Sequence, residues 1–375
     1  MHQLMRNIPE PKKIAILRAN ALGDFIFVLP ALQALKERFP KAELILLGKQ
    51  WHKDFLTGRP GPVDRVIVVP AYPGVGEPEE FEPDPQELDV FFKAMQQEKF
   101  DIAYQMHGGG GNSNPFLLRL GAKLNVGLQA PGASELDITI PYVYYFSETL
   151  RYLEVAAQTG AAAKHIEPVV MVTEKDIQEA GTVLQHKEKP IAVIHPGATD
   201  LRRRWPAADF AAIADFLAEK GYAVYVTGVS SEKDTVEAVI AEVQHKNEVT
   251  DLCSRLTING MTGLLSMASL LVSNDTGPLH LARAVKTPTV GIYWCSNLIT
   301  GMPMTTGAHR SLLSFIVNCP LCGMSNKKFD KEKNTVCDHK TSFVTDVSVD
   351  EVKEAVEELL ALELKEIVKD ASEAA

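Results

Sequence analysis

The 375-residue sequence lacks the short signatures of several common enzyme classes. It has no G-x-x-x-x-G-K-[ST] phosphate loop, no H-E-x-x-H zinc motif and no G-x-S-x-G nucleophile turn. No G-x-G-x-x-G follows the first predicted strand, which argues against a dinucleotide-dependent oxidoreductase. An Asp-x-Asp pair, which commonly holds a divalent cation against a sugar-nucleotide diphosphate, is also missing. Any chemistry on a nucleotide is therefore expected to neutralise the phosphates with protein groups.

Positive charge is in deficit, because 38 Lys and Arg stand against 48 Asp and Glu and give a formal net charge of −10. This argues against a nucleic-acid partner bound through overall positive charge. The longest apolar runs, near 25–32 and 264–272, fall far short of the ~20 residues of a membrane helix. Residues 1–13 have no apolar core after their charges, so we expect no signal peptide. These features predict a cytoplasmic globular protein.

Short apolar runs alternate with helical patterns along the chain, which indicates parallel sheets with helical crossovers. The predicted strands are 13–18, 44–47, 64–69, 101–105, 191–194, 223–226, 270–272 and 289–292, and the clearest helices are 22–39, 86–99 and 207–220. We predict an α/β protein with domains 1–165 and 166–345, followed by a C-terminal helical segment, 346–375. The apolar face of that helix carries Val349, Val352, Val356, Leu359 and Leu360 at helical spacing.

Two strand-to-helix turns carry candidate binding residues, and ligands bind at such turns in open parallel sheets. Asp24 follows the first strand, where it either caps the next helix or faces a ligand. Thr199 and the arginine run 202–204 follow the strand 191–194 and precede Trp205. Guanidinium groups bind phosphate oxygens bidentately, although a run of arginines can also be a solvated surface.

A third turn reads Ser-Asn-Asp-Thr-Gly-Pro-Leu-His and follows the strand 270–272. Asp275 or Thr276 can cap the new helix, and Gly277 suits its first turn. The exposed N–H groups and the positive end of the helix dipole there form a phosphate site. His280 either points back to the same helix end or is a satisfied core histidine.

Three of the five cysteines fall late in the chain, in the pattern Cys319-x-x-Cys322 followed by Cys337 and His339. These four residues could form a Cys₃His site for structural zinc or iron. The spacing of Cys337 and His339, only two residues apart, is awkward for a pair of ligands. The alternative is three free or partly paired thiols in a lysine-rich loop.

Taken in order, these segments resemble the family 9 glycosyltransferases, the lipopolysaccharide heptosyltransferases. The resemblance runs from about residue 13 to about residue 356. It rests on ILRANALGDFIFVLPALQALKERFP, IHPGATDLRRRWP, the turn VTG, and VSNDTGPLHLARAVKTPTVGIY. The family has the GT-B fold, two Rossmann-like domains facing a deep cleft, with the acceptor bound to the N-terminal domain and the nucleotide sugar to the C-terminal one. The resemblance also implies a last helix that crosses back to the N-terminal domain.

By this resemblance the protein moves a heptose from ADP-heptose to a lipopolysaccharide core sugar with inversion, and catalysis requires no cofactor or metal ion. Asp24 matches the family's proposed general base, and Arg203 matches a basic position that neutralises the departing diphosphate. The other donor-site candidates carried over by the motifs are Thr199, Gly228, Asp275, Thr276, Gly277 and His280. The expected place of action is the cytoplasm, with peripheral contact at the inner membrane.

Three alternatives stay open at this point. The sequence Ala-Asn-Ala at 19–21 departs from the Ser-Ser pair common in the family, so the acceptor is not determined. A GT-B transferase could use another nucleotide sugar, or a protein acceptor as in autotransporter heptosyltransferases, some of which build an iron-binding finger from cysteines. The same scaffold could also serve as a non-catalytic nucleotide-sugar-binding subunit.

Overall fold

A computed structural model describes residues 10–186, 188–324 and 337–373, with side chains described as far as Leu362. The chain divides into two compact units, Met1–Met171 and Val172–Ala375, close to the predicted boundary after residue 165. Within the described ranges, no helix combines the length and apolar character that a membrane span requires.

The first unit is built on a six-stranded parallel sheet in the order β3-β2-β1-β6-β7-β8. Its strands are β1 (Lys13–Leu17), β2 (Glu43–Gly48), β3 (Arg65–Val68), β4 (Tyr72–Pro73), β5 (Gly76–Glu77), β6 (Ile102–Gln105), β7 (Leu124–Gln129) and β8 (Ile138–Pro141). Two of these strands, β4 and β5, form a small separate pair. Its helices are α1 (Leu22–Arg38), α2 (Gln50–Leu56), α3 (Pro85–Glu98), α4 (Ser113–Leu118) and α5 (Glu148–Ala157).

The second unit repeats this topology, with the parallel order β11-β10-β9-β12-β13-β14. Its strands are β9 (Ile191–His195), β10 (Ala223–Val226), β11 (Val249–Asp251), β12 (Leu270–Asn274), β13 (Thr289–Trp294) and β14 (His309–Ser314). Its α-helices are α6 (Glu174–Gly181), α7 (Ala207–Glu219), α8 (Lys233–Glu242), α9 (Ile258–Met267), α10 (Gly277–Ala284), α11 (Cys295–Gly301) and α12 (Val349–Glu373).

Both sheets reverse their strand order beside the first strand of the unit, between β1 and β6 and between β9 and β12. Open α/β sheets bind ligands outside the carboxyl ends of the strands at such a reversal. The strands around each reversal are almost completely buried, because apolar runs such as Ile14–Leu17 and Leu270–Val272 are covered by helices on both faces. The topology therefore singles out one functional edge in each unit.

The described part of the apolar face of α12 joins the core of the second unit, and the crossing of the last helix to the N-terminal domain stays a prediction. Val352, Val356 and Leu359 are almost fully buried in a cluster that includes Leu217 of α7 and Val290 of β13. Helical spacing predicts an apolar stripe but does not identify the surface that covers it.

The contact between α6 and α9 depends on a residue without a side chain. A Cβ on Gly263 would lie 2.1 Å from the backbone oxygen of Asp176, a backbone contact that no rotamer change can relieve. We expect Gly263→Ala to destabilise the protein by about 2 kcal/mol through overpacking. Gly181→Ala, where an added Cβ meets nothing within 4 Å, is the matched control and should change stability by less than ~0.5 kcal/mol. Urea denaturation measures both, and equal stabilities would contradict the packing argument.

Candidate functional site

Asp24 lies at the functional edge of the first unit without capping a helix. The N-cap of α1 is Ala21, which makes no side-chain capping bond, and Asp24 is the third residue of the helix. Its side chain is 41% exposed and lies 3.4 Å from Nη2 of Arg18. The capping alternative is therefore wrong, and the carboxylate is accessible to a ligand at the positive end of the α1 dipole.

Arg18, directly after β1, fixes the backbone at Asp24. Its Nε and Nη2 groups donate to the carbonyl oxygen of Asp24 at 3.0 and 2.7 Å, and Nη1 donates to Met106 O at 2.8 Å. Nη1 also bonds the hydroxyl of Tyr152, which in turn donates to Glu148 Oε2 at 2.7 Å. A buried arginine with this many partners makes the position of the Asp24 main chain well defined.

His107 closes the other side of the strand-order reversal, directly beyond β6. Its Nδ1 accepts from the N–H of Ala19 at 3.2 Å, so Nε2 carries the proton and donates to Gly74 O at 2.9 Å. Burial and the charge of Arg18 lower the pKa of His107 to about 4. His52 is also buried, and burial with the same arginine lowers its pKa to about 3. Both rings are neutral at pH 7, which leaves Asp24 as the exposed ionisable side chain among these residues.

Asp275, at the carboxyl end of β12, is the centre of a buried polar cluster in the second unit. Its carboxylate is 3.1 Å from Nε2 of His280, 2.9 Å from Nδ2 of Asn297 and 3.5 Å from Nη1 of Arg203. Burial acts to raise the pKa of Asp275, but the hydrogen bond and charge of His280 and the charge of Arg203 outweigh it and hold the pKa below its usual value. Asp275 therefore positions Arg203 and His280 from inside the unit.

The three consecutive arginines do not form one anion site. Arg202 makes a bidentate pair with Asp200, and Arg204 donates to Ala198 O and Thr235 Oγ1. Arg203 is the member of the run that turns toward Asp275 and donates to its carbonyl oxygen at 3.1 Å. Its side chain keeps 24% exposure, so it remains accessible to a bound anion.

Thr276 and Gly277 begin α10 beside this cluster. Thr276 is the N-cap residue but makes no side-chain capping bond, and its hydroxyl lies 3.3 Å from Asn274 O. The first N–H groups of a helix have no partner inside the helix, so this end can accept an anion. Gly228, by contrast, is a close-packing position, because a Cβ there would lie 2.7 Å from Val236 Cγ2.

A cavity of about 370 Å³ opens beside the second-unit cluster. Its lining residues are Thr199, Asp200, Leu201, Arg203 and Lys340. The sequence predicted Thr199 and Arg203 for this site and missed Lys340, which lies in the stretch assigned to the cysteine cluster. Asn297, which holds Asp275, was also missed, since no motif marks the start of α11.

Cys319, Cys322, Cys337 and His339 come together, with one potential ligand atom from each within 4.8 Å of the others. Cys319 Sγ and Cys337 Sγ lie 3.5 and 3.6 Å from His339 Nδ1, and the sulfurs of Cys322 and Cys337 are 3.5 Å apart. Tetrahedral zinc bonded to sulfur at about 2.3 Å and to nitrogen at about 2.0 Å separates two sulfurs by about 3.8 Å and a sulfur from a nitrogen by about 3.5 Å. The donor set therefore fits such an ion, and the spacing of Cys337 and His339 is no obstacle.

The comparisons with known proteins identify the family. The family model for glycosyltransferase family 9 (heptosyltransferase) matches residues 90–321, more than half of the chain. The chain belongs to glycosyltransferase family 9. This confirms the family and the enzyme class predicted from the sequence.

This glycosyltransferase is 22% identical to lipooligosaccharide heptosyltransferase 2 of Haemophilus influenzae over 296 residues, 75% of this chain and 82% of that protein. Its structure resembles that of E. coli ADP-heptose lipopolysaccharide heptosyltransferase II, with a TM-score of 0.74, 18% identity and coverage of 94% and 99%. It also resembles TibC, an iron-containing dodecameric glycosyltransferase of enterotoxigenic E. coli, with a TM-score of 0.55, 12% identity and coverage of 95% and 80%. The predicted GT-B fold class is confirmed.

Proposed function

We propose that the protein transfers a heptose from ADP-heptose to a sugar of the lipopolysaccharide core, with inversion at the anomeric carbon and without a catalytic metal ion. The observation that carries the proposal is the state of Asp24. It is a half-exposed carboxylate, not a helix cap, and lies 3.4 Å from a buried arginine at the strand-order reversal. The heptosyltransferase names of the relatives support the choice of sugar, and the E. coli structure supports ADP as the nucleotide.

In this mechanism Asp24 accepts the proton of the acceptor hydroxyl as its oxygen attacks the anomeric carbon. The bond from that carbon to the diphosphate oxygen breaks, and ADP leaves with the electron pair. A carboxylate suffices as base because the hydroxyl becomes acidic as the new bond forms. Negative charge develops on the leaving diphosphate, so Arg203 and the N-terminus of α10 are expected to supply the stabilisation.

Peripheral membrane contact at the cytoplasmic face is part of the proposal, and a loop of the first unit supports it. Val143, Tyr144 and Tyr145 are 54%, 64% and 48% exposed. Nη2 of the buried Arg151 donates to the carbonyl oxygens of Val143 and Tyr144, which holds the loop backbone. Exposed tyrosines are favoured at the level of lipid headgroups.

Titration calorimetry tests the donor assignment. The protein is titrated with ADP-heptose and with UDP- and GDP-sugars, in a buffer with EDTA to remove loosely bound cations. Binding of ADP-heptose in preference to the UDP and GDP compounds is the expected result. Preference for a UDP- or GDP-sugar would retain the transferase assignment and replace the donor.

We also propose that Cys319, Cys322, Cys337 and His339 hold a structural metal ion, zinc or iron, which would tie two chain segments together. Elemental analysis of protein purified without added metal should find about one ion per chain. Cys322→Ser should remove most of it. Cys253→Ser, which deletes another non-disulfide thiol, is the control and should retain the metal. Metal content near zero in the wild type would refute this part of the proposal.

A further inference from the structure

We infer that Lys340 binds the diphosphate of the nucleotide donor and that four neighbouring residues position it for this role. These four residues, Cys319, Cys322, Cys337 and His339, are called the Cys/His cluster. The inference rests on the proposed function, since it concerns the same donor site. It adds a binding residue outside the three motifs and assigns a task to the cluster.

The charged side chains that line the cavity determine where a diphosphate can bind. Asp200 contributes a negative charge to the lining, but Arg202 neutralises it through contacts of 2.6 to 3.1 Å. The charge of Arg203 is partly balanced by Asp275 at 3.5 Å. No carboxylate among the described residues forms an ion pair with Lys340, which is exposed and lines the same cavity. Lys340 is therefore the lining cation that a diphosphate can bind without displacing a protein carboxylate.

Contacts on both sides of Lys340 hold the chain in place. One residue before it, Nδ1 of His339 lies 3.5 and 3.6 Å from the sulfurs of Cys319 and Cys337. Three residues after it, Phe343 N donates to Arg202 O at 2.7 Å and Phe343 is buried in the core. Lys340 thus lies between two anchors, and one of them is the cluster.

Cys319 anchors the other end of the Cys/His cluster. Cys319 N donates to Met324 O, and Gly323 N donates to Cys319 O, which closes a tight turn around Cys322. Gly323 has a φ of +71°, a left-handed conformation that glycine adopts at no steric cost. Cys319 itself is buried in the second-unit core, so the Cys/His cluster is attached to that core. An ion bound by the four ligands would fix His339, and Lys340 with it.

The test is the affinity for ADP, measured by calorimetry. Lys340→Met should weaken ADP binding by on the order of tenfold, and the difference should shrink at high salt because it is a charge–charge contact. Lys340→Arg should restore affinity to within about threefold. Lys246→Met removes the same charge from another exposed position in the unit and should leave affinity unchanged.

The role of the cluster is tested in the same assay. Wild-type protein stripped of metal by a chelator, and Cys322→Ser, should both bind ADP about tenfold more weakly. Adding Lys340→Met to Cys322→Ser should cause little further loss, since the two changes act on one interaction. Circular dichroism checks that each protein is folded.

Each outcome has one meaning. Wild-type affinity in Lys340→Met overturns the inference while leaving the proposed function intact. Full affinity after metal loss overturns the positioning role of the cluster. A wild type that binds none of ADP, UDP and GDP overturns the inference and the proposed donor site together.

Discussion

Asp24→Asn should lower kcat by about 10³-fold while leaving ADP affinity and thermal stability near those of the wild type. The amide has nearly the same shape as the carboxylate but cannot accept the proton of the acceptor hydroxyl. Stability should be unaffected because Asp24 makes no capping bond and its side chain is 41% exposed. Transfer rates, ADP titration and thermal unfolding measure the three quantities separately.

Glu87→Gln is the matched control for Asp24→Asn. Glu87 is an exposed acid in the first turn of α3 in the same unit, so the substitution removes the same charge from an equivalent position along a helix dipole. We expect its kcat to equal that of the wild type. Turnover of Asp24→Asn within a few-fold of the wild type would remove Asp24 as the base.

Asp275→Asn should destabilise the protein by about 3 kcal/mol, the cost of breaking a buried ion pair from one side. Both oxygens of Asp275 face donors, and in the amide one of them becomes an NH₂ group directed at a donor. Because Arg203 loses its partner, ADP affinity should fall as well. Denaturant unfolding and ADP titration measure the two effects.

The same carboxylate predicts a dependence on pH. The pKa of Asp275 is lower in the folded protein than its ordinary value, near 3.9 in the unfolded chain. Its stabilising contribution is therefore fully present above pH ~4 and is lost as the pH falls through the folded pKa. Wild type and Asp275→Asn should converge in stability at acid pH. A constant difference down to pH 3 would contradict the ion-pair account.

Asp200→Asn is the control for Asp275→Asn. Asp200 also pairs with an arginine, but its side chain is 32% exposed, so solvent screens the pair. The expected loss is less than about 1 kcal/mol. A loss as large as that of Asp275→Asn would show that burial is not what makes the Asp275 cluster important.

The sequence predicted the strands around each strand-order reversal closely, since these are short apolar runs bounded by turns. Besides the short strands β4, β5, β8 and β11, it did not predict β7 and β14, which read LNVGLQ and HRSLLS. Their polar residues and glycine break the apolar pattern, and pairing with a neighbouring strand decides their conformation. The burial of the α12 face in the core of the second unit was also not predicted, because an amphipathic pattern does not identify the surface that covers it.

The motifs selected Asp24, Arg203 and Asp275 as candidate site residues, because each lies near a turn between the end of a strand and a helix. The motifs did not distinguish a residue that contacts a ligand from one that positions other side chains. The structure makes this distinction by burial, since Asp275 is buried and Asp24 is half-exposed. No sequence motif could predict Lys340. It lines the cavity because neighbouring residues such as Phe343 contact residues that are far away in the sequence.

Analysis of the transfer product tests the central claim most directly. Wild-type protein is incubated with ADP-heptose and a heptose-free lipopolysaccharide core acceptor in EDTA, and the new linkage is assigned by NMR. Elemental analysis afterwards records the metal retained by the cysteine cluster. We predict one added heptose whose anomeric configuration is opposite to that of the donor. A product with retained configuration, or transfer that needs added divalent metal, would contradict the proposed mechanism.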